Sequence, residues 1–236
     1  MLLGVNIDHV ATVRNARGGV EPQPIEAAKI CESLPVSSIT THLREDRRHI
    51  KDEDVEMISK TISTNLNLEM AITDEMQQIA LRIKPYSVCL VPEKRQEVTT
   101  EGGLDVAGQV EKITNFVKPL KDAGIVVSLF IDPAKEQVEA SAKTGAQFIE
   151  MHTGSYANAF GTDKEQEEFL KLKNAAKLAQ QLGLKVNAGH GLDYKNVKRM
   201  HEIGGLCELN IGHSIISRAI FVGLESAIEE MVELVR

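Results

Sequence analysis

Basic charge is what this chain most plainly lacks. Its 27 lysines and arginines face 34 aspartates and glutamates, a formal net charge of -7. That balance excludes a general nucleic-acid binder, which needs a basic face to meet phosphate. Cysteine is scarce too: Cys31, Cys89 and Cys207 are odd in number, far apart and set in apolar runs. They make neither a disulfide framework nor a CxxC metal site, and the expectation is reduced thiols in a cytoplasmic protein. No apolar run approaches the roughly 20 residues of a membrane span. The opening residues turn polar at Asn6, too early for the apolar region of an export signal. The expectation is a protein that is not exported and has no nucleic-acid or membrane partner. The prolines form no linker, and low-complexity tracts and short repeats are missing, so 1–236 reads as one domain.

What is present is an alternation. Short apolar runs, each followed by a stretch of helical periodicity, recur at Leu2–Val5, Ser38–Thr41, Leu66–Met70, Ser87–Val91, Val126–Ile131, Phe148–Met151, Leu184–Val186 and Leu206–Ile211. The runs read as continuously apolar, as parallel strands buried on both faces do. Helices are expected at about 24–34, 53–63, 74–83, 106–123, 134–144, 164–182, 193–203 and 214–235. Asp52 or Asp54 can cap the second and Thr73 the third, while Gly124, Gly145 and Gly183 stand where C-terminal left-handed glycines belong. Eight strand–helix units predict an α/β fold, a closed (β/α)8 TIM barrel, over the alternative of an open doubly wound sheet. The long segment from Pro92 to Gly108 is either a lid over the site or a plain surface loop.

Active sites of such barrels lie at the C-terminal ends of the strands. Six of the seven histidines fall there: His9, His42, His49, His152, His190 and His213. Imidazole titrates nearest neutrality, so such a rim suits proton transfer. Glu69 is set inside the apolar run Leu66–Met70. It is either a glutamate satisfied by backbone or an arginine, or a desolvated base with a raised pKa. The seventh and eighth exits, Asn187–Gly191 and Asn210–Ser214, carry glycines that let backbone N–H groups approach an anion, and phosphate sites in barrels use these two exits. Arginines form two groups, Arg14 with Arg17 and Arg44 with Arg47 and Arg48. They suggest two phosphates, although part of the second group also reads as a solvated charge run. Two rivals to an acid–base enzyme stay open. One is a metal-dependent barrel hydrolase or aldolase, against which no tight ligand cluster is visible. The other is a non-catalytic sugar-phosphate carrier.

The words Gly4-Val5-Asn6-Ile7-Asp8-His9, Thr41-His42-Leu43-Arg44-Glu45-Asp46-Arg47-Arg48-His49-Ile50 and Asn67-Leu68-Glu69-Met70-Ala71 occur in order with 90–108, 150–154, Asn187–Gly191 and Glu208–His213. With them the chain resembles the pyridoxine 5'-phosphate synthase family. The resemblance implies a barrel with additional helices that condenses 1-deoxy-D-xylulose 5-phosphate with 3-amino-2-oxopropyl phosphate, using neither metal nor organic cofactor. By resemblance His42 and Glu69 are proton acceptors, His190 is a proton donor, and Glu150 supports developing charge. Asp8, His9, Arg44, His49 and Thr99 would contact the deoxyxylulose phosphate. Asn6, Arg17, Gly191, Gly212 and His213 would hold the amino-ketone phosphate. The resemblance also implies a homo-oligomer, an octamer, in which Arg17 reaches a neighbouring subunit's site. The stretches 34–38 and 156–168 depart from the family pattern.

Overall fold

The structure, a computed structural model, describes residues 1–93 and 102–236. The centre of the expected lid, Thr99 included, lies outside the described residues. Eight parallel strands close into a barrel in chain order: β1 (Leu2–Asn6), β2 (Ser38–His42), β3 (Asn65–Met70), β4 (Ser87–Leu90), β5 (Val126–Ile131), β6 (Phe148–His152), β7 (Lys185–Gly189) and β8 (Leu206–Ile211). Around them run α1 (Asp8–Arg17), α2 (Pro24–Glu32), α3 (Asp52–Thr61), α4 (Asp74–Ile83), α5 (Val110–Asp122), α6 (Lys135–Ser141), α7 (Gly154–Ala159), α8 (Glu165–Gln181), α9 (His213–Val222) and α10 (Leu224–Val235). A 3-10 helix occupies Val197–Glu202. Among the described residues no helix is long and apolar enough to cross a membrane.

The strands are not continuously apolar, and the correction matters for the site. Each alternates. On β3, Leu66, Leu68 and Met70 join the core under the helices, while Asn67 and Glu69 stand on the other face. Barrel interiors are usually filled by layers of Val, Ile and Leu. Here the interior is polar. Asn67 Nδ2 donates to Thr40 Oγ1 at 3.2 Å, and Ser87 Oγ to Asn67 Oδ1 at 2.8 Å. Ser38 Oγ reaches Glu208 Oε1 at 3.0 Å, and Ser37 also donates to that carboxylate. Asn210 Nδ2 donates to Glu150 Oε2 at 2.6 Å. The first two bonds join neighbouring strands, whereas Ser38–Glu208 and Asn210–Glu150 join β2 to β8 and β6 to β8, which are not neighbours, and so cross the barrel lumen. Each adds only about 1 kcal/mol, but leaving one buried partner unmatched costs about 1–3 kcal/mol, so the network is held as a set.

Local chemistry explains most element ends. Thr73 Oγ1 accepts the Met76 N–H, capping α4. Gly124, Gly145 and Gly183 all take a φ of +84°. The capping expected of Asp52 or Asp54 takes another form. Lys51 is the residue before α3, Asp54 sits in the first turn and accepts the Lys51 N–H at 2.9 Å, and Asp52 binds Arg47. Four stretches differ from expectation, one of them the short α7 at Gly154–Ala159, where no helix was expected. Residues 8–17 form α1 directly after β1 with Ile7 alone between them, so no turn residue announces the helix. The segment 193–203 is helical only as the 3-10 turn, and 214–235 is two helices because Gly223 takes a φ of +87°.

Gly4 shows how tightly the interior is filled: an added Cβ would overlap Asn210 Oδ1 and stand 2.6 Å from Ser38 Oγ. Gly4→Ala is therefore expected to cost about 1–3 kcal/mol of stability through overpacking. The check is the urea midpoint at unchanged slope, and a wild-type midpoint would show slack in the interior.

Candidate active site

The strand C-termini open into one cavity of about 1100 Å³. Its first wall grows from β1, β2 and β3. Asn6 ends β1, and its amide group braces Asp8, with Nδ2 donating to Asp8 Oδ2 at 2.8 Å and Oδ1 accepting the Asp8 N–H at 2.9 Å. Asp8 Oδ1 in turn accepts the His42 backbone N–H at 2.8 Å. Strand pairing sets His42 beside Glu69, with His42 Nδ1 3.8 Å from Glu69 Oε2. On its other side His42 Nε2 lies 2.8 Å from Glu93 Oε1. Burial would raise the Glu93 carboxyl, but bonds to His42 and to the Glu45 N–H outweigh it and hold it below its ordinary value. Glu93 stands just beyond the fourth run among other charged residues, with no signal in the sequence to set it apart; its place against His42 is a tertiary fact.

Glu69 and Glu150 point into the barrel from β3 and β6. Burial raises Glu69 well above the ordinary carboxyl range, and the nearby Glu150 and Asp8 raise it further. Among the described residues no bond from an arginine offsets this, so of the two open readings the desolvated acid describes the geometry. Burial also raises Glu150, to about 7, against the hydrogen bond from Asn210 that favours its charged form.

The opposite wall comes from the β7 and β8 exits. His190 has a φ of +78°, Gly191 one of +82°. Burial, then the charge of His152, lowers the His190 imidazole to about 4. Gly212 must be glycine because an added Cβ would stand 2.8 Å from Asn6 Cβ. His213 opens α9 and meets the His9 ring edge-on with centroids 4.9 Å apart. Burial, His213 next, lowers His9 although Asp8 opposes, and burial lowers His49. Asn6, Asp8, His9, His42, Arg44 and His49 thus share the cavity with Glu69, Glu150, His190, Gly191, Gly212 and His213.

The arginine groups need correction. Arg14 is buried in a two-pronged pair with Asp54, at 2.6 and 2.8 Å. Arg47 is held by Asp52 and Glu75. Arg44 and Arg48 line the cavity, and both pair with Asp46. Arg17 lies exposed at the end of α1, outside the cavity. The absence of a tight ligand cluster is corrected as well: Asp8, His42 and His49 bring ligand atoms within 4.8 Å of one another. Those groups already have partners inside the protein, Asp8 as described and His49 Nδ1 through the Ile50 N–H at 2.9 Å.

The whole chain has counterparts. A family model described as pyridoxal phosphate biosynthesis protein PdxJ matches residues 3–236. Proteins named pyridoxine 5'-phosphate synthase from Geobacter sulfurreducens and Geotalea daltonii are each 58% identical over 234 residues, 99% of this chain and 98% of theirs. Among solved structures, phosphoribosyl anthranilate isomerase from Thermococcus kodakaraensis aligns with a TM-score of 0.67 at 10% identity, over 100% of this chain and 99% of that one. At that identity the likeness concerns the barrel alone.

The raised Glu150 pKa has a consequence for stability. Below its ordinary value of 4.5 the carboxyl is protonated folded or unfolded. As pH rises toward 7 the unfolded chain ionises first, so folding loses up to about 1.4 kcal/mol per pH unit. Glu150→Gln stays neutral and keeps an acceptor for Asn210. Its unfolding free energy relative to wild type should grow by up to about 3 kcal/mol between pH 4.5 and about pH 8. A flat difference in denaturant titrations at the two pH values would mean that Glu150 is solvated.

Proposed function

The chain belongs to the pyridoxine 5'-phosphate synthase family, and we infer from that membership that it condenses 1-deoxy-D-xylulose 5-phosphate with 3-amino-2-oxopropyl phosphate to pyridoxine 5'-phosphate, phosphate and water. The substrate amine attacks the sugar ketone, so the imine nitrogen comes from substrate and no enzyme lysine is needed. Enolisation, loss of phosphate, ring closure and dehydration then demand repeated proton transfers between fixed partners.

The observation that carries the residue roles is the pairing of a desolvated carboxyl with an imidazole at one end of the cavity, Glu69 and His42, opposite a buried imidazole, His190. We assign proton abstraction to His42 and Glu69. A carboxylate of raised pKa is a stronger base than one in water. His190 returns protons: an imidazolium held near pKa 4 is a strong acid that passes on what it has collected. Glu150 supports charge developing on the bound intermediate. Arg44, His49, Asp8 and His9 face one phosphorylated substrate, while Asn6, Gly191, Gly212 and His213 face the other. Thr99, which the resemblance adds to the first set, lies outside the described residues. The buried Cys31 and Cys89 suit a reducing cytoplasm.

Arg17 completes the site of a second copy of the chain. Support comes from its exposed place at the end of α1, outside its own cavity, and from apolar side chains on α1 and the adjoining α9, Val13, Ile220 and Phe221, that are 51%, 72% and 82% exposed. Such side chains on adjoining helices suit a contact between copies.

Glu69→Gln should keep substrate affinity and lose about 10²–10⁴ in turnover, the usual worth of a general base. The assay mixes both substrates and measures pyridoxine 5'-phosphate and released phosphate; near-wild-type turnover would make Glu69 structural. Mixing Arg17→Ala with Glu69→Gln, each inactive alone, should regain activity as subunits exchange, because some sites then combine intact groups from both chains. If no activity returns although exchange is seen by mass spectrometry, Arg17 does not act across subunits.

A further inference from the structure

His190 is held in an uncommon way. A histidine at a φ of +78° has left the usual backbone regions, and something must keep it there. The holder is the exit of β6. Thr153 is fully buried; its hydroxyl lies 2.7 Å from the Gly189 carbonyl oxygen and 2.6 Å from that of His190, its single proton shared between them, and its N–H donates to Gly189 O at 2.9 Å. One side chain thus grips both carbonyls that flank the His190 nitrogen and Cα.

The ring of His190 is gripped separately. His152 lies against it, with centroids 5.0 Å apart and planes inclined by 60°, and Phe130 packs against both rings, 5.3 Å from His152 and 6.3 Å from His190. His152 is not part of the cavity lining. Its own ring is fixed by Asp132, whose Oδ1 is 3.0 Å from His152 Nδ1. That bond, with the Gly103 N–H as a further donor, holds the Asp132 carboxyl below its ordinary value. Gly154 leaves room for this ring: an added Cβ would stand 2.5 Å from His152 Nε2. Gly103 is pressed onto the end of β5, where a Cβ would overlap the backbone of Ile131 and Asp132.

We propose that Asp132, His152 and Thr153 are positioning residues for His190, Thr153 fixing its backbone and the Asp132–His152 pair fixing its ring over the cavity. The proposal rests on the reading of His190 as an acid–base group. None of the three touches the reacting atoms. Their effect is geometric, and a displacement of an acid–base group by about an ångström can cost on the order of 10²-fold in rate.

The test is a double-mutant cycle. Thr153→Val, which keeps the shape but cannot donate, is expected to lower kcat by about 10-fold or more with both KM values within about twofold. Thr153→Ser should restore most of that loss, because it returns the hydroxyl. In a His190→Gln background Thr153→Val should add almost nothing, since the group it positions is gone. Equal losses in both backgrounds would overturn the role of Thr153, as would wild-type kcat in a folded Thr153→Val. Asp132→Ala, which removes the hydrogen-bond partner of His152 Nδ1, should show the same coupling; additivity there would remove Asp132 and His152 from the proposal. Full turnover in His190→Gln alone would instead sink the acid–base reading. The positioning is then decided by the His190 ring resonances in the free enzyme, expected narrow in wild type and broadened or doubled in Thr153→Val; unchanged lines would overturn it.

Discussion

Inside the barrel, the Asn210 amide donates to Glu150 at 2.6 Å, a bond possible only because the lumen is polar and closed at once. A polar lumen supplies partners; a closed one removes water. Together they let carboxyl groups exist at the strand ends without full ionisation. Glu69 lacks such an amide among the described residues, and burial raises its pKa well above the ordinary carboxyl range. An aliphatic lumen, as most barrels have, would make both side chains intolerable. A wet one would return them to ordinary acids. The interior hydrogen bonds from Ser37 to Asn210 are therefore the condition for the chemistry above them.

Burial acts with opposite sign on the two kinds of group. It raises the carboxyls of Glu69 and Glu150 and lowers the imidazoles of His9, His49 and His190. The ordinary order of carboxyl and imidazole is thereby inverted: Glu150, near 7, holds its proton more firmly than His190, near 4. One cavity can then serve successive steps that take protons and give them back. Desolvation is the largest influence on all five groups.

Much of this was legible from sequence, for identifiable reasons. Buried strands carry dense apolar residues, and eight of them left eight marks; glycines at +84° ended helices as expected. The histidines were legible because the rim of a barrel is where strand ends point. Partnerships were not. Arg14 looked like a substrate contact until Asp54, 40 positions away, was seen to hold it. Glu93 looked like one of several loop charges until His42 was found 2.8 Å off. Helix α1 was missed because it starts one residue past β1 without a turn signal. The alternation inside the strands was there to be read, as in Asn65-Leu66-Asn67-Leu68-Glu69-Met70, but runs short enough to suggest double-sided burial hid it.

The anions complete the electrostatic picture. A chain of net charge -7 does not gather phosphates by its overall field; attraction must be local and lie where walls of low dielectric focus it. Arg14 and Arg47 are committed to internal carboxylates, which leaves the cavity to Arg44, Arg48, the imidazoles and the backbone N–H groups of the glycine turns. A bound phosphate dianion favours the protonated form of every imidazole near it, whereas burial favours the neutral one. The two effects oppose each other at His9, His49 and His190. Burial alone therefore sets the lower end of their pKa range, and a phosphate beside them moves them back toward neutrality, where proton exchange with a carboxyl near 7 such as Glu150 is closest to balanced.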